Sequence, residues 1–332
     1  MAGVQGSALC VAVSNAGGLG SLPCAILGPD AMRTELAAIR AHTTKPFNVN
    51  FFCHTPPESD VERDAAWREA LAPYFAELGI DQHPVPKTLQ RLPFGTEAAD
   101  VLNEFRPAVV SFHFGLPSAE LLERVQSWGT KVLSSATTPD EARWLEAHGV
   151  DAIIAQGVEA GGHRGHFLSD DLATQMSTRT LVSQIVQVVK VPVIAAGGIS
   201  DAKSVVAALA LGAAGVQVGT AYLLCPEATT SSVHRAALKS DAARVTTLTN
   251  VFTGRPARGI VNRVMRELGP LSTVVPAFPL AAAAIAPLRS AAERMGSGDF
   301  SPLWAGQDTS GCREISASLL TRELAGEPAQ AG

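Results

Sequence analysis

The residues best suited to chemistry lie in the stretch AQGVEAGGHRGHF, residues 155–167, which follows the apolar run DAIIA. His163 stands there between the pair Gly161 and Gly162 and the guanidinium of Arg164. An imidazole titrates near pH 6.5, so close to neutrality it accepts a proton or donates a hydrogen bond. Arg164, as a neighbouring cation, is expected to depress that pKa and keep the ring neutral. The two glycines leave the backbone open to a flat ligand or its phosphate chain. A second concentration comprises AAGGISD (195–201) and QVGTA (217–221). Gly197 and Gly198, followed by Ser200 and Asp201 at a helix start, present free N–H groups. With the positive end of the helix dipole and Gly219 beyond, they can hold a phosphate without a lysine.

These residues need a scaffold that brings them to one face. Apolar runs occur at Gly18–Leu22, Phe47–Phe52, Ala108–Phe114, Lys131–Ala136, Asp151–Gln156, Val191–Gly198 and Gly215–Thr220, and the opening AGVQG reads as the end of an eighth. Amphipathic segments such as TPDEARWLEAHG and DAKSVVAALALG separate them, opening on Ser, Asp or Thr-Pro and closing on Gly. Near-continuous apolar strands alternating with helices predict a parallel sheet covered on both faces, and the count predicts an α/β TIM barrel of the (β/α)8 type with a truncated first strand. Such a barrel builds its active site at the carboxyl ends of the strands. Asn50, His113, Ser134, Ser135, Gln156, Gly197, Gly198, Gly219 and Thr220 fall there. His113, set between phenylalanines in FHF, fits a packed core histidine as well as a catalytic one. His42, His54, His83, His148, His166 and His234 are expected to be solvated.

After Thr220 the rhythm changes. The division expected is a barrel over 1–225, a helical substrate or lid region without barrel strands over 226–300, and a C-terminal segment returning to the barrel over 301–332. With 332 residues, 46% of them hydrophobic, and a net charge of -5, the chain suits a soluble globular protein and carries no basic face for nucleic acid. Five scattered cysteines suggest neither a disulfide framework nor a zinc site, no His, Asp and Glu set has metal-ligand spacing, and a cytoplasmic home is expected. The start lacks the charged region of a secretory signal, and the most apolar stretch, Val274–Leu288, is broken by prolines and too short to span a membrane.

Taken in order, SNAGGLGSLP, NVNFF, SFHFGLP, AQGVEAGGHRG, PVIAAGGISD, GVQVGTAYLL, TGRPARG and PLWAGQ resemble the nitronate monooxygenases over nearly the whole chain. The resemblance implies a barrel holding FMN without a covalent bond, with Asn50, Gln156, Gly161, Gly198, Gln217, Val218, Gly219 and Thr220 as flavin contacts and His163 as the catalytic histidine. It implies oxidation of alkyl nitronates, including propionate 3-nitronate, by O2 to a carbonyl compound and nitrite without NAD(P)H, by a monomer or homodimer. The competing expectations are an NAD(P)H-dependent flavin reductase of the same fold and a non-catalytic flavin binder. The family carries about twenty residues ahead of the position of Met1, so the first strand is expected to be incomplete.

Overall fold

The computed structural model describes residues 1–82 and 91–327. Seven parallel strands form one curled sheet in the order β1 (Gly20–Pro23), β2 (Phe47–Phe52), β3 (Val109–His113), β4 (Lys131–Ala136), β5 (Ala152–Gln156), β7 (Val193–Ala196) and β8 (Gly215–Gln217). A second, antiparallel sheet has the order β6 (Gly162–His163), β10 (Ala257–Ile260) and β9 (Thr246–Thr249). The helices are α1 (Ser7–Asn15), α2 (Pro29–His42), α3 (Val61–Leu78), α4 (Thr96–Phe105), α5 (Ala119–Gln126), α6 (Pro139–Ala147), α7 (Thr178–Ile185), α8 (Ala202–Ala210), α9 (Ser232–Leu238), α10 (Arg263–Glu267), α11 (Ala281–Arg294) and α12 (Ala317–Leu324). Strand following strand in parallel through flanking helices makes a TIM-like α/β barrel.

Local chemistry explains the element boundaries. Thr138 caps α6 by accepting from the Glu141 N–H, with Pro139 in the first turn, where its missing N–H costs nothing. Asp201 and Ser204 cap α8 reciprocally. The main core lies between the sheet and its helices: Val49, Phe51, Val110, Phe112, Val132, Ile153 and Val193 from the strands meet Leu36, Leu102, Leu145 and Leu181 from the helices. A second cluster packs Trp67, Leu71 and Phe75 of α3 against Ile285, Leu288 and Ala292 of α11, and Trp67 Nε1–H donates to the Ala281 carbonyl.

Two expectations are corrected. AGVQG forms no strand: residues 1–6 lead into α1, and the described sheet has seven strands. The stretch after Thr220 is not wholly helix and loop, because β9 and β10 pair there and β10 also pairs with the loop carrying His163. Only two residues of that loop are extended, too few for a period to show in the sequence. Among the described residues no helix is long and apolar enough to cross a membrane.

Ile153, fully buried at the middle of β5, is the natural probe of this core. Ile153→Ala is expected to cost about 3–4 kcal/mol in urea unfolding, whereas Val206→Ala on the exposed face of α8 should cost less than about 1 kcal/mol.

Candidate active site at the carboxyl ends of the strands

Because the main sheet is parallel, the carboxyl ends of β2, β3, β4, β5, β7 and β8 all open at one end of the barrel. Asn50, on β2, donates from Nδ2 to Ser111 Oγ at 2.9 Å on β3. Gln156 closes β5, and both ends of its amide are used: Nε2 donates to the His163 carbonyl at 2.9 Å, and Oε1 accepts from the Gly165 N–H at 2.8 Å. That clamp fixes the path of the loop on either side of Arg164. His113 Nε2 shares the same His163 carbonyl at 3.2 Å, while its Nδ1 meets Ser135 Oγ at 3.0 Å. A carbonyl only accepts, so His113 carries its proton on Nε2. Burial pushes its pKa down to about 3, which makes it a brace for the loop.

His163 sits on β6, held against Ala257 of β10. Its Nε2 lies 2.9 Å from Thr253 Oγ1, and Nδ1 has no hydrogen-bond partner among the described residues. Aromatic rings surround it: Phe278 at 5.2 Å, Trp304 at 5.6 Å, and Phe52 and Phe114 each at 6.1 Å between centroids. Phe114 reaches that place with φ 71, a left-handed backbone that costs a non-glycine residue roughly 1–2 kcal/mol. Burial holds the His163 pKa well below its ordinary value, and Arg91, His113 and Arg255 push the same way. The ring is neutral, as the sequence suggests, but Arg164 is not the cause.

Arg164 turns away from the ring. It is fully buried and donates to the carbonyls of Gly157 (2.6 Å) and Gln156 (2.7 Å) and to Gln175 Oε1 (2.8 Å). Arg258 donates from Nε to the Val158 carbonyl at 2.6 Å, and Arg255 donates to the carbonyls of Arg164 and His166 while lying 4.2 Å over the Phe114 ring. Arg91 lies 5.9 Å from the Phe278 centroid. Among the described residues none of these four arginines has a carboxylate within salt-bridge distance. A chain of net charge -5 thus surrounds its histidine with positive charge, a field that favours an anion.

The second glycine site has the features of an anion cradle. Gly197 and Gly198 take φ 118 and 67, which side chains disfavour. Among the described residues the N–H groups of Gly198, Ile199, Gly219 and Thr220 find no acceptor within the chain. Val218 packs outward among Tyr222 and Leu320, so only its backbone is turned to the barrel end, and the Gln217 side chain is exposed. Gly161 has a structural reason to be glycine: a Cβ there would stand 2.6 Å from the backbone of Ala305 and Gly306. Of the expected site residues, Gln156 and His163 are in direct contact, Gly161 shares their loop, and Asn50, Gly198 and Gln217–Thr220 ring the same barrel end.

The sequence reading missed Thr253, Phe278, Trp304 and Arg91 as neighbours of the histidine. TGRPARG and PLWAGQ carry two of them, but nothing local marks which side chain turns inward. The expectation of solvated histidines is also corrected: His54, His166 and His234 are only 6%, 2% and 4% exposed, whereas His42 and His148 are exposed and His83 lies outside the described residues. Their neighbours are hydrophobic partners brought in by distant segments, such as Phe278 at 4.8 Å from His54. Among the described residues no group of His, Cys, Asp and Glu is placed to hold a metal.

The family model for nitronate monooxygenases matches residues 1–327. A nitronate monooxygenase of Pseudomonas aeruginosa is 43% identical over 98% of this chain and 94% of its own length, and one from Paraburkholderia phytofirmans is 42% identical over 98% and 89%. Among solved structures, the nitroalkane oxidase of Streptomyces ansochromogenes superposes with a TM-score of 0.88 at 38% identity, covering 98% of this chain and 93% of that one. FabK from Thermotoga maritima superposes with a TM-score of 0.70 at 26% identity, covering 98% and 89%.

The buried histidines make stability pH-dependent. Burial lowers His54, His166 and His234 to about 4 in the folded state, so between pH 6.5 and 4 the unfolded chain binds more protons. Their contribution is complete above pH 6.5 and is lost as the pH falls toward 4. Guanidinium unfolding at pH 7 and pH 5 should differ by at least about 3 kcal/mol. Equal stabilities would show that these rings are not neutral inside.

Proposed function

The chain belongs to the nitronate monooxygenase family, and from that premise we propose that it oxidises alkyl nitronates such as propionate 3-nitronate with O2 and non-covalently bound FMN, giving a carbonyl compound and nitrite without NAD(P)H. The observation that carries this reading is a neutral imidazole whose free Nδ1 stands in an aromatic chamber flanked by arginines without carboxylate partners. Such a chamber suits a small anion with an apolar tail.

FMN when bound supplies the electron transfer from the nitronate to O2. This chain's part is to hold that cofactor and place the substrate. The unpaired N–H groups of Gly198, Ile199, Gly219 and Thr220 would take its phosphate, with no bulk in the way at Gly198 and Gly219. Asn50, Gln156, Gly161, Gln217 and Val218 would border its ring and ribityl chain. His163 hydrogen-bonds the nitro oxygens, and Phe278 and Trp304 exclude water beside it. Residues 226–300 act as the substrate-covering region, since both Thr253 and Phe278 reach His163 from there. Barrel residues 1–225 carry the flavin, and 301–332, of which 328–332 lie outside the described residues, return to it through Trp304–Gly306. The working place assigned is the cytoplasm, as monomer or homodimer.

The test is an absorbance spectrum of the purified protein followed by addition of propionate 3-nitronate in air. A flavin spectrum, O2 uptake and nitrite release without NADH are expected. Rapid anaerobic bleaching by NAD(P)H with no nitronate turnover would establish a reductase instead, and bound FMN with neither activity a flavin binder. His163→Asn should lower nitronate turnover at least about tenfold while keeping FMN. Gly198→Leu should lose the flavin, because a side chain at φ 67 also meets Glu159 Cβ at 3.3 Å.

A further inference from the structure

The nitrogen of His163 that the chamber does not see is the one with a partner. Thr253 Oγ1, on a residue only 2% exposed, lies 2.9 Å from Nε2 and 3.4 Å from the Arg255 carbonyl. The threonine is itself fixed: its N–H donates to the Asn250 carbonyl at 3.2 Å, and the next residue, Gly254, has φ 89 and so close a contact that a Cβ would stand 2.1 Å from the Pro276 carbonyl. One hydroxyl proton has two acceptors to choose from, and the shorter bond takes it, because hydrogen bonds weaken steeply with length.

We propose that Thr253 is the positioning residue of this site: its hydroxyl donates to His163 Nε2, which leaves the ring's single proton on Nδ1 and turns a hydrogen-bond donor, not a base, toward the chamber. A base there would have to end as an imidazolium beside Arg91 and Arg255, whereas a donor stays neutral throughout. The surroundings therefore suit an oxygen anion facing Nδ1, and a lone pair in that place would repel it. That last step rests on the nitronate reading above; the tautomer does not.

The tautomer is read from the ring nitrogens of 15N-labelled flavin-loaded protein, with the His163 signals identified by their loss in His163→Asn. Nδ1 should be of the protonated, pyrrole type and Nε2 of the pyridine type. Thr253→Val, which keeps the shape and removes the hydroxyl, should shift the ring toward the Nε2–H form and lower kcat for propionate 3-nitronate about tenfold with KM changed less than about threefold. Thr253→Ser should restore both the tautomer and most of the rate. A wild-type spectrum with Nδ1 of the pyridine type overturns the proposal. So does a Thr253→Val protein with unchanged tautomer and kcat, or a Thr253→Ser protein as defective as the valine variant. Wild-type protein with the expected spectrum but no nitronate turnover would remove the nitronate reading and leave the tautomer assignment standing.

Discussion

The site depends on one buried cation. Arg164 is removed from water without a carboxylate beside it, and what offsets the loss of its hydration is a set of neutral acceptors, the carbonyls of Gln156 and Gly157 and the amide oxygen of Gln175. Those two carbonyls end β5, where the chain leaves the sheet and its acceptors would otherwise go unsatisfied. The guanidinium therefore solves two problems at once, and it does so only if the loop bends back over the strand that precedes it. Burial brings its pKa down to about 10, which still leaves it charged at neutral pH. The bend also delivers His163, one residue earlier, to the open end of the barrel.

The same choice of partners sets the electrostatics. Arg255 and Arg258 also bind carbonyls of the loop or its surroundings, so three guanidiniums hold residues 158–166 in place and none is neutralised in doing so. Ion pairs would have held the loop equally well but would have cancelled the field. Carbonyl acceptors leave it intact, and the apolar rings of Phe52, Phe114, Phe278 and Trp304 keep the local dielectric low so that it is felt. An imidazole in that setting stays unprotonated, and its use as a donor or acceptor is settled by hydrogen bonding to Thr253 rather than by titration.

Much of the scaffold was legible in the sequence because burial on both faces writes a parallel strand as a nearly unbroken apolar run, and seven such runs became seven strands. His163 was legible for a related reason: a titratable ring between glycines, directly after such a run, has little to do in a core. The rest was written in pairs far apart along the chain. Thr253 is meaningful only beside His163, and the β6–β10 pairing joins segments that share no local signal. Arg164 shows the opposite failure, where adjacency in sequence suggested an influence on His163 that its actual direction removes. AGVQG was read as a strand by rhythm alone, and the turn leading into α1 overrides it.

The glycines of the loop carry a further consequence. Three of them are dictated by close approach to protein: a Cβ at Gly157 would stand 2.1 Å from Thr178 Oγ1, at Gly161 2.6 Å from Ala305 and Gly306, and at Gly165 2.7 Å from His113. Only Gly162, at φ 76 with open space around it, is glycine for its backbone rather than its neighbours. The Gly161 contact matters most, because the Gly306 N–H donates to Thr220 Oγ1 at 2.9 Å, and the Gln307 N–H donates to the Glu159 carbonyl at the same distance. Residues 305–307 thus join the histidine loop to the end of β8, where the free N–H groups gather. The two halves of the site cannot be displaced independently: a shift at the anion cradle reaches His163 through Gly306, over two hydrogen bonds and one backbone contact too close for any side chain.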